Sequence, residues 1–181
     1  IHCTPNGEFP HNPEPLKEHL TDLSVAVLKE KADLGIAVDP DVDRLVFMDE
    51  KGELFGEEYT LVACADYVLQ HQKGALVSNL SSSRALADLA QKNSVDYHAS
   101  AVGEVHVVEK MKAVNAIIGG EGNGGVILPS LHYGRDALVG IALFLSHLAK
   151  QNSNVSELKG KYSNYVMAKQ KIELSPDWDA D

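Results

Sequence analysis

Cysteine is scarce: Cys3 and Cys64 are the only two in the sequence, and neither has metal-ligand spacing. A reducing, cytoplasmic home is therefore expected. Aromatic residues make up only 6% and are scattered, which leaves no stacking platform for nucleotide bases. No Lys/Arg-rich run interrupts the formal net charge of −10, so binding to a phosphate backbone or to an anionic membrane is not expected. No apolar run is long enough to span a bilayer, and the opening "IHCTPNGEFP" lacks the basic and apolar regions of a secretory signal. Low-complexity tracts and internal repeats are also missing, which argues against a solenoid.

What is present suits a packed core. The chain has 181 residues, of which 44% are hydrophobic, enough for one ordinary domain or one domain and part of another. It opens on Ile1 in mid-motif, and a piece of a longer protein is expected. The start "CTPNGEFPHNPEPL" reads as an extended loop before a helix beginning near Pro15 and carrying Leu16, Leu20 and Leu23. Two short apolar runs follow at hairpin distance, "LGIAV" (Leu34 to Val38) and "LVFM" (Leu45 to Met48), with a second turn at Lys51 and Gly52.

From Gly56 helix and strand alternate regularly. Glu57 and Glu58 suit the first turn of a helix running to about Gln72, with Cys64 on its buried face. "ALVSNL" is a buried strand, "SSSRALADLAQKN" a helix opened by serine caps, and "SVDYHA" a strand. "GEVHVVEKMKAV" predicts a helix with Val105, Val108 and Met111 inward, followed by the strand "NAIIGG". Asp136 is expected to cap a helix with a stripe of Leu138, Ile141, Ala142, Leu145 and Leu148, and "SNVSELK" to form a short helix opened by Ser153 or Asn154. The order is βαβαβ-like, which predicts an α/β/α sandwich with a mixed, largely parallel sheet and part of a second similar domain. The tail 161–181 reads as a linker or an edge strand.

The stretch "VDPDVDRL" poses a question of charge. Asp39, Asp41 and Asp43 crowd three carboxylates between apolar runs, at a cost in mutual repulsion that a hard divalent cation such as magnesium, calcium or manganese relieves. Three readings are open. A solvated surface turn needs only polarity. An EF-hand-type calcium loop has Asp at positions one, three and five and Glu50 at twelve, but Arg44 stands where the sixth-position glycine belongs. A catalytic magnesium loop places alternate aspartates on one octahedral ion, with Arg44 beside any phosphate ligand.

The second constellation is "GGEGNGG", Gly119 to Gly125, after the strand "NAII". Its glycine order is not a dinucleotide fingerprint, and a strand rather than a helix follows. A plain glycine-rich hairpin is one reading. The other is sugar recognition, because Glu121 and Asn123 alternate on the loop and are able to hold adjacent hydroxyls. In "HYGRDA", His132 and Arg135 either approach phosphate or anchor the loop by a salt bridge. His98 and His106 read as structural, and Ser82 and Ser83 as helix caps rather than nucleophiles.

The two loops, in this order and about eighty residues apart, resemble those of the α-D-phosphohexomutases, the family of phosphoglucomutase, phosphomannomutase and phosphoglucosamine mutase. The family's metal loop, Asp-x-Asp-x-Asp-Arg, is matched by "DPDVDR"; its sugar loop, Gly-Glu-x-Ser-Gly-His, is matched less well by "GEGNGG". "FPHNPEPL" and "VGEVHVVEKM" look like the segments that lead into the family's second-domain helix and its sugar loop. The resemblance covers nearly the whole chain. It implies Mg2+ held by Asp39, Asp41 and Asp43, Arg44 as the catalytic residue against a phosphoserine phosphate, and Glu121 and Asn123 on two sugar hydroxyls. Asn123 and Gly125 depart from the family's serine and histidine, and Ser81 stands where it has a lysine, for which Arg84 or a residue from a missing part would have to compensate.

The resemblance further implies reversible transfer of phosphate between C1 and C6 of a hexose phosphate, through a phosphoserine and a hexose 1,6-bisphosphate. The family's Thr-x-Ser-His-Asn-Pro and Arg-x-Ser-Gly-Thr segments do not occur in the chain. The expectation is therefore residues 1–55 as the end of domain 2, 56–160 as domain 3 and 161–181 leading to a missing domain 4, inactive alone. A non-catalytic module binding metal and sugar phosphate is the alternative, and a calcium-dependent structural domain a third.

Overall fold

The computed structural model describes residues 1–168 apart from Cys3 and Pro5. After the extended start, a single 3-10 turn, Lys17–His19, precedes α1 (Thr21–Glu30). The helix expected from Pro15 thus starts later, because Leu16 is still extended and the chain bends at Leu20. The apolar runs flanking the aspartates form the antiparallel pair β1 (Gly35–Val38) and β2 (Leu45–Met48), with Val38 opposite Leu45.

The rest follows the alternating order: α2 (Glu57–Leu69), β3 (Leu76–Asn79), α3 (Ala85–Lys92), β4 (Tyr97–Ser100), α4 (Glu104–Ala113), β5 (Ile118–Gly120), β6 (Val126–Ile127), α5 (Ala137–Gln151) and α6 (Val155–Lys159). The four-stranded sheet runs β4-β3-β5-β6, parallel except for the β5–β6 hairpin. Strand alternation divides its side chains between two layers. Leu76, Ile118 and Val126 face the core shared with α2, α3 and α5, whereas Val77 and Ile127 face Val107 and Met111 of α4. This is the mixed α/β/α arrangement.

β2 has no solvent face, which is why "LVFM" does not alternate in polarity. Leu45 and Phe47 enter the core of α2 and α5, while Val46 and Met48 pack with Leu20 and Val27 around α1. Phe47 stacks on Phe144 of α5, ring centroids 3.8 Å apart, and Phe55 meets Phe144 edge-on at 4.9 Å. The turn after β2 is clasped by α6: Glu50 accepts from the Ser156 N–H (3.2 Å), and the Lys159 ammonium donates to the Leu54 carbonyl (2.6 Å). α6, the short helix expected from Ser153 or Asn154, is opened by an Asn154/Glu157 capping box, which decides for Asn154.

Two helix faces differ from expectation. In α4, Val107 and Met111 are buried while Val105 is 67% exposed. In α5, the inward set is Ala137, Gly140, Phe144 and His147, and Leu138 and Leu145 are exposed. α5 is apolar nearly all round, so its periodicity is ambiguous; Gly140 settles the face, because a Cβ there would lie 2.7 Å from the Leu45 side chain. The serine caps also differ: Arg84 holds the N-cap position of α3, and only Ser83 Oγ reaches the helix, accepting from the Ala85 N–H at 3.4 Å. No strand forms in 161–168; the remainder of the expected tail strand, and Cys3, lie outside the described residues. Among the described residues no helix is long and apolar enough to cross a membrane.

Replacing Phe144 with alanine removes the ring that both Phe47 and Phe55 pack against. We expect a loss of about 3–5 kcal/mol, read as a lowered midpoint in urea denaturation. A loss below about 1 kcal/mol would show that β2 is not keyed into the core through this ring.

Candidate metal and sugar site

The aspartate loop begins where β1 ends, and its shape is set by its own first carboxylate. Asp39 Oδ1 accepts the backbone N–H groups of Asp43 and Arg44, both at 3.0 Å, and its carbonyl accepts from Val42 N–H. Val42 adopts φ 60°, an uncommon conformation for a β-branched residue. Its carbonyl is held by the N–H of Ala137 at the start of α5 (3.1 Å). The loop is therefore pinned to the same helix that supports β2.

One oxygen each from Asp39, Asp41 and Asp43 lies within 4.8 Å of the others, as the sequence spacing predicts. Asp39 is buried, Asp43 half-buried and Asp41 exposed. Burial raises Asp43, as do the neighbouring carboxylates of Asp39 and Asp41; Arg135 opposes them, and the net value is pushed up to about 6. Burial also works against Asp39, yet the N–H donors of Arg44 and Asp43 and the Arg44 charge outweigh it and hold this carboxyl low. Asp43 Oδ1 is buried and no donor reaches it. Either a shared proton or a cation relieves that oxygen, and an all-carboxylate set suits a hard divalent ion. The residues present fit such an ion.

Arg44 lies over this triad, with Nε 3.5 Å from Asp39 Oδ2 and Nη1 donating to Glu14 Oε1 at 3.2 Å. Glu50, the twelfth-position residue of the calcium-loop reading, is instead bound to Ser156, and the residues before it are strand β2. The EF-hand reading is thereby set aside.

The glycine-rich loop follows β5 at the carboxyl edge of the parallel strands, where α/β sheets place their ligands. Glu121 is buried; its Oε1 accepts from Asn79 Nδ2 at 2.6 Å, and its Oε2 from Arg135 Nη1 at 2.7 Å and from Asn123 Nδ2 at 3.5 Å. Asn123 also accepts from the Gly125 N–H at 3.2 Å. The glycines serve close approach. A Cβ at Gly122 would lie 2.4 Å from the Glu58 carboxylate, and one at Gly124, where φ is 89°, would lie 2.1 Å from the Leu45 carbonyl oxygen. Ser82 buttresses the loop, its Oγ accepting from the Gly122 N–H (3.0 Å) and donating to Asn79 (2.9 Å).

Arg135 joins the two loops. One guanidinium nitrogen donates to Glu121 and the other to Asp43 Oδ2, while its backbone N–H donates to Glu104 Oε1 at 2.9 Å. The sequence is open to either phosphate contact or an anchor at Arg135, and its contacts here are those of an anchor. His132 turns away to Asp136 (2.9 Å). Asn79 and Glu104 carry no functional signal in the sequence beyond a place at the end of a parallel strand and the start of a helix, and Glu58 reads there only as a first-turn residue of its helix.

The fold and the site define an α/β protein whose strand-end carboxylate triad, suited to a hard cation, shares one arginine with a polar glycine-rich loop. Residues 56–165 match the family model described as phosphoglucomutase/phosphomannomutase, alpha/beta/alpha domain III, and residues 1–52 match that for domain II. The chain belongs to the phosphoglucomutase/phosphomannomutase family, the α-D-phosphohexomutases. It is 36% identical to a phosphoglucomutase/phosphomannomutase of Thermococcus kodakarensis, covering 98% of this chain and 39% of that one. It is 31% identical to a probable phosphoglucosamine mutase of Methanopyrus kandleri over the same shares. The crystal structure of a putative phosphomannomutase from Thermus thermophilus superposes with a TM-score of 0.78 at 25% identity, over 83% of this chain and 35% of that one. The chain thus spans about two fifths of the length of these curated relatives.

Because Asp43 sits near 6 in the folded chain against 3.8 ordinarily, ionising it costs the metal-free fold stability as the pH rises between those values. A bound cation removes that cost and competes with the proton. Magnesium should therefore raise the melting temperature more at pH 7 than at pH 5, and its affinity should fall about tenfold per unit below about pH 6. Equal shifts at both pH values would contradict this assignment.

Proposed function

We propose that this chain is the metal- and sugar-binding portion of a hexose-phosphate mutase that moves phosphate reversibly between C1 and C6 through a phosphoserine and a bisphosphate intermediate. The observation that carries the reading is the meeting of the aspartate loop and the glycine-rich loop on Arg135. In this reading Asp39, Asp41 and Asp43 hold Mg2+, which when bound stabilises the charge of the transferring phosphoryl group. Arg44 supplies a second positive charge on the phosphate side of the triad. Its pairing with Glu14 is exposed enough to be exchanged for a phosphate oxygen at small cost.

Glu121 and Asn123 hold two sugar hydroxyls. Glu121 already accepts three donors out of roughly four acceptor positions. A hydroxyl therefore takes the remaining position or replaces the long Asn123 contact, freeing the Asn123 amide for the neighbouring hydroxyl. Residues 1–55 act as the end of domain 2 and 56–160 as domain 3, in the cytoplasm. The phosphoserine and the grip on the substrate's other phosphate come from remaining domains of a longer chain, and the chain alone does not turn over substrate.

Isothermal titration with Mg2+ and Ca2+, repeated on Asp41→Ala, tests the reading. Magnesium binding that drops at least about tenfold in the variant and strengthens with glucose 1,6-bisphosphate is the expected result. Tight calcium binding indifferent to the bisphosphate would overturn it in favour of a structural ion site.

A further inference from the structure

Arg135 occupies a place built for it. It stands in the loop between β6 and α5, immediately before the N-cap Asp136, with its side chain only 13% exposed. The stem runs through space left by a missing side chain: a Cβ on Gly125 would lie 2.4 Å from Arg135 Cδ. Around the guanidinium stand carboxylates from three separate segments, Asp43 of the aspartate loop, Glu104 at the start of α4 and Glu121 of the glycine-rich loop. Such burial of a charge is tolerated only with good pairing, and here each terminal nitrogen has its own carboxylate.

The pairing divides the work of Asp43 between its two oxygens. Oδ2 takes the arginine, and Oδ1 is left buried with no hydrogen-bond donor, 3.9 Å from Arg44 Nε. A partner that fixes one oxygen of a ligand carboxylate sets the direction of the other, as the outer partners of metal ligands do. The opposite nitrogen of the same rigid fork sets Glu121 in the same way. A planar guanidinium cannot turn to follow one carboxylate without loosening its bond to the other.

We infer that Arg135 is a positioning residue that links cation occupancy at Asp39, Asp41 and Asp43 to the readiness of Glu121 for sugar hydroxyls. This rests on the function proposed above. A cation that fixes Asp43 holds the fork and therefore Glu121, and a ligand on Glu121 acts back on Asp43. Thermodynamic linkage requires the two effects to be equal. Lysine keeps the charge but offers a point rather than a fork, so Arg135→Lys separates geometry from electrostatics.

The experiment is magnesium titration calorimetry on the wild type, Asp41→Ala, Arg135→Lys, Glu121→Gln and the Arg135→Lys/Glu121→Gln double variant, each with and without glucose 1,6-bisphosphate. Arg135→Lys is expected to weaken magnesium binding about 10–100-fold and to abolish its strengthening by the bisphosphate. Glu121→Gln, which shares the Arg135 guanidinium with Asp43 but is not one of the three proposed ligands, is expected to weaken magnesium by about threefold or more, a penalty that vanishes in the Arg135→Lys background. Magnesium affinity within about twofold of wild type in Arg135→Lys, or additive effects in the double variant, would overturn the inference while leaving the metal site intact. Wild-type binding no different from Asp41→Ala would overturn the proposed function itself. If Arg135→Lys does not fold, Glu121→Gln alone decides: an unchanged magnesium affinity refutes the link.

Discussion

Negative charge gathered at one edge of the sheet governs this structure. Asp39, Asp43, Glu104 and Glu121 converge there from separate segments, with Asp41 beside them. In the low-dielectric surroundings of a half-buried site their repulsion is large, and each carboxylate has to find a donor. Backbone N–H groups serve Asp39, Asn79 serves Glu121, and Arg135 serves the remaining demands at once. The unmet oxygen of Asp43 is what that competition leaves over, an open acceptor within the carboxylate triad.

Such an arrangement holds only on a rigid mount. β2 provides it by being buried on both faces, with Phe47 and Leu45 keyed into the layer of α2 and α5 and with Val46 and Met48 against α1. α5 acts at both ends of the problem. Its first N–H holds the Val42 carbonyl, the residue before its cap is Arg135, and its Phe144 carries the aromatic stack. The aspartate loop and the glycine-rich loop are thus referenced to the same helix.

Much of this was legible in the sequence. The strand pair, the alternating order, the Asp136 and Asn154 caps and the proximity of the three aspartates follow from local pattern, because each depends on residues close in the chain. The face of α5 did not, since a helix apolar on most sides leaves the choice to whatever packs against it, here Leu45 seated at Gly140; in α4, Val105, Val107 and Val108 offer overlapping stripes with Met111, and the sheet residues Val77 and Ile127 take Val107. The role of Arg135 was only half legible. An arginine between a glycine and an N-cap is read as a loop residue, and its partners lie 14 and 92 positions away. The glycines of the second loop are read from the sequence as a hairpin or a sugar loop, and what their missing side chains leave room for, Glu58 at Gly122 and the Leu45 backbone at Gly124, comes from distant parts of the chain.

The clasp between Glu50 and Ser156 joins residues 106 positions apart, and that between Lys159 and Leu54 joins residues 105 apart. Contacts of such separation slow folding, because loop closure must precede the gain. On a ribosome adding about 5–20 residues each second, the early hairpin waits several seconds before the helix that seals it emerges. During that interval the apolar side of β2 intended for Phe144 has no cover. The segment "LVFM" is then a β-prone, uncharged stretch open to other chains, flanked by Arg44 and Asp49 as charged gatekeepers.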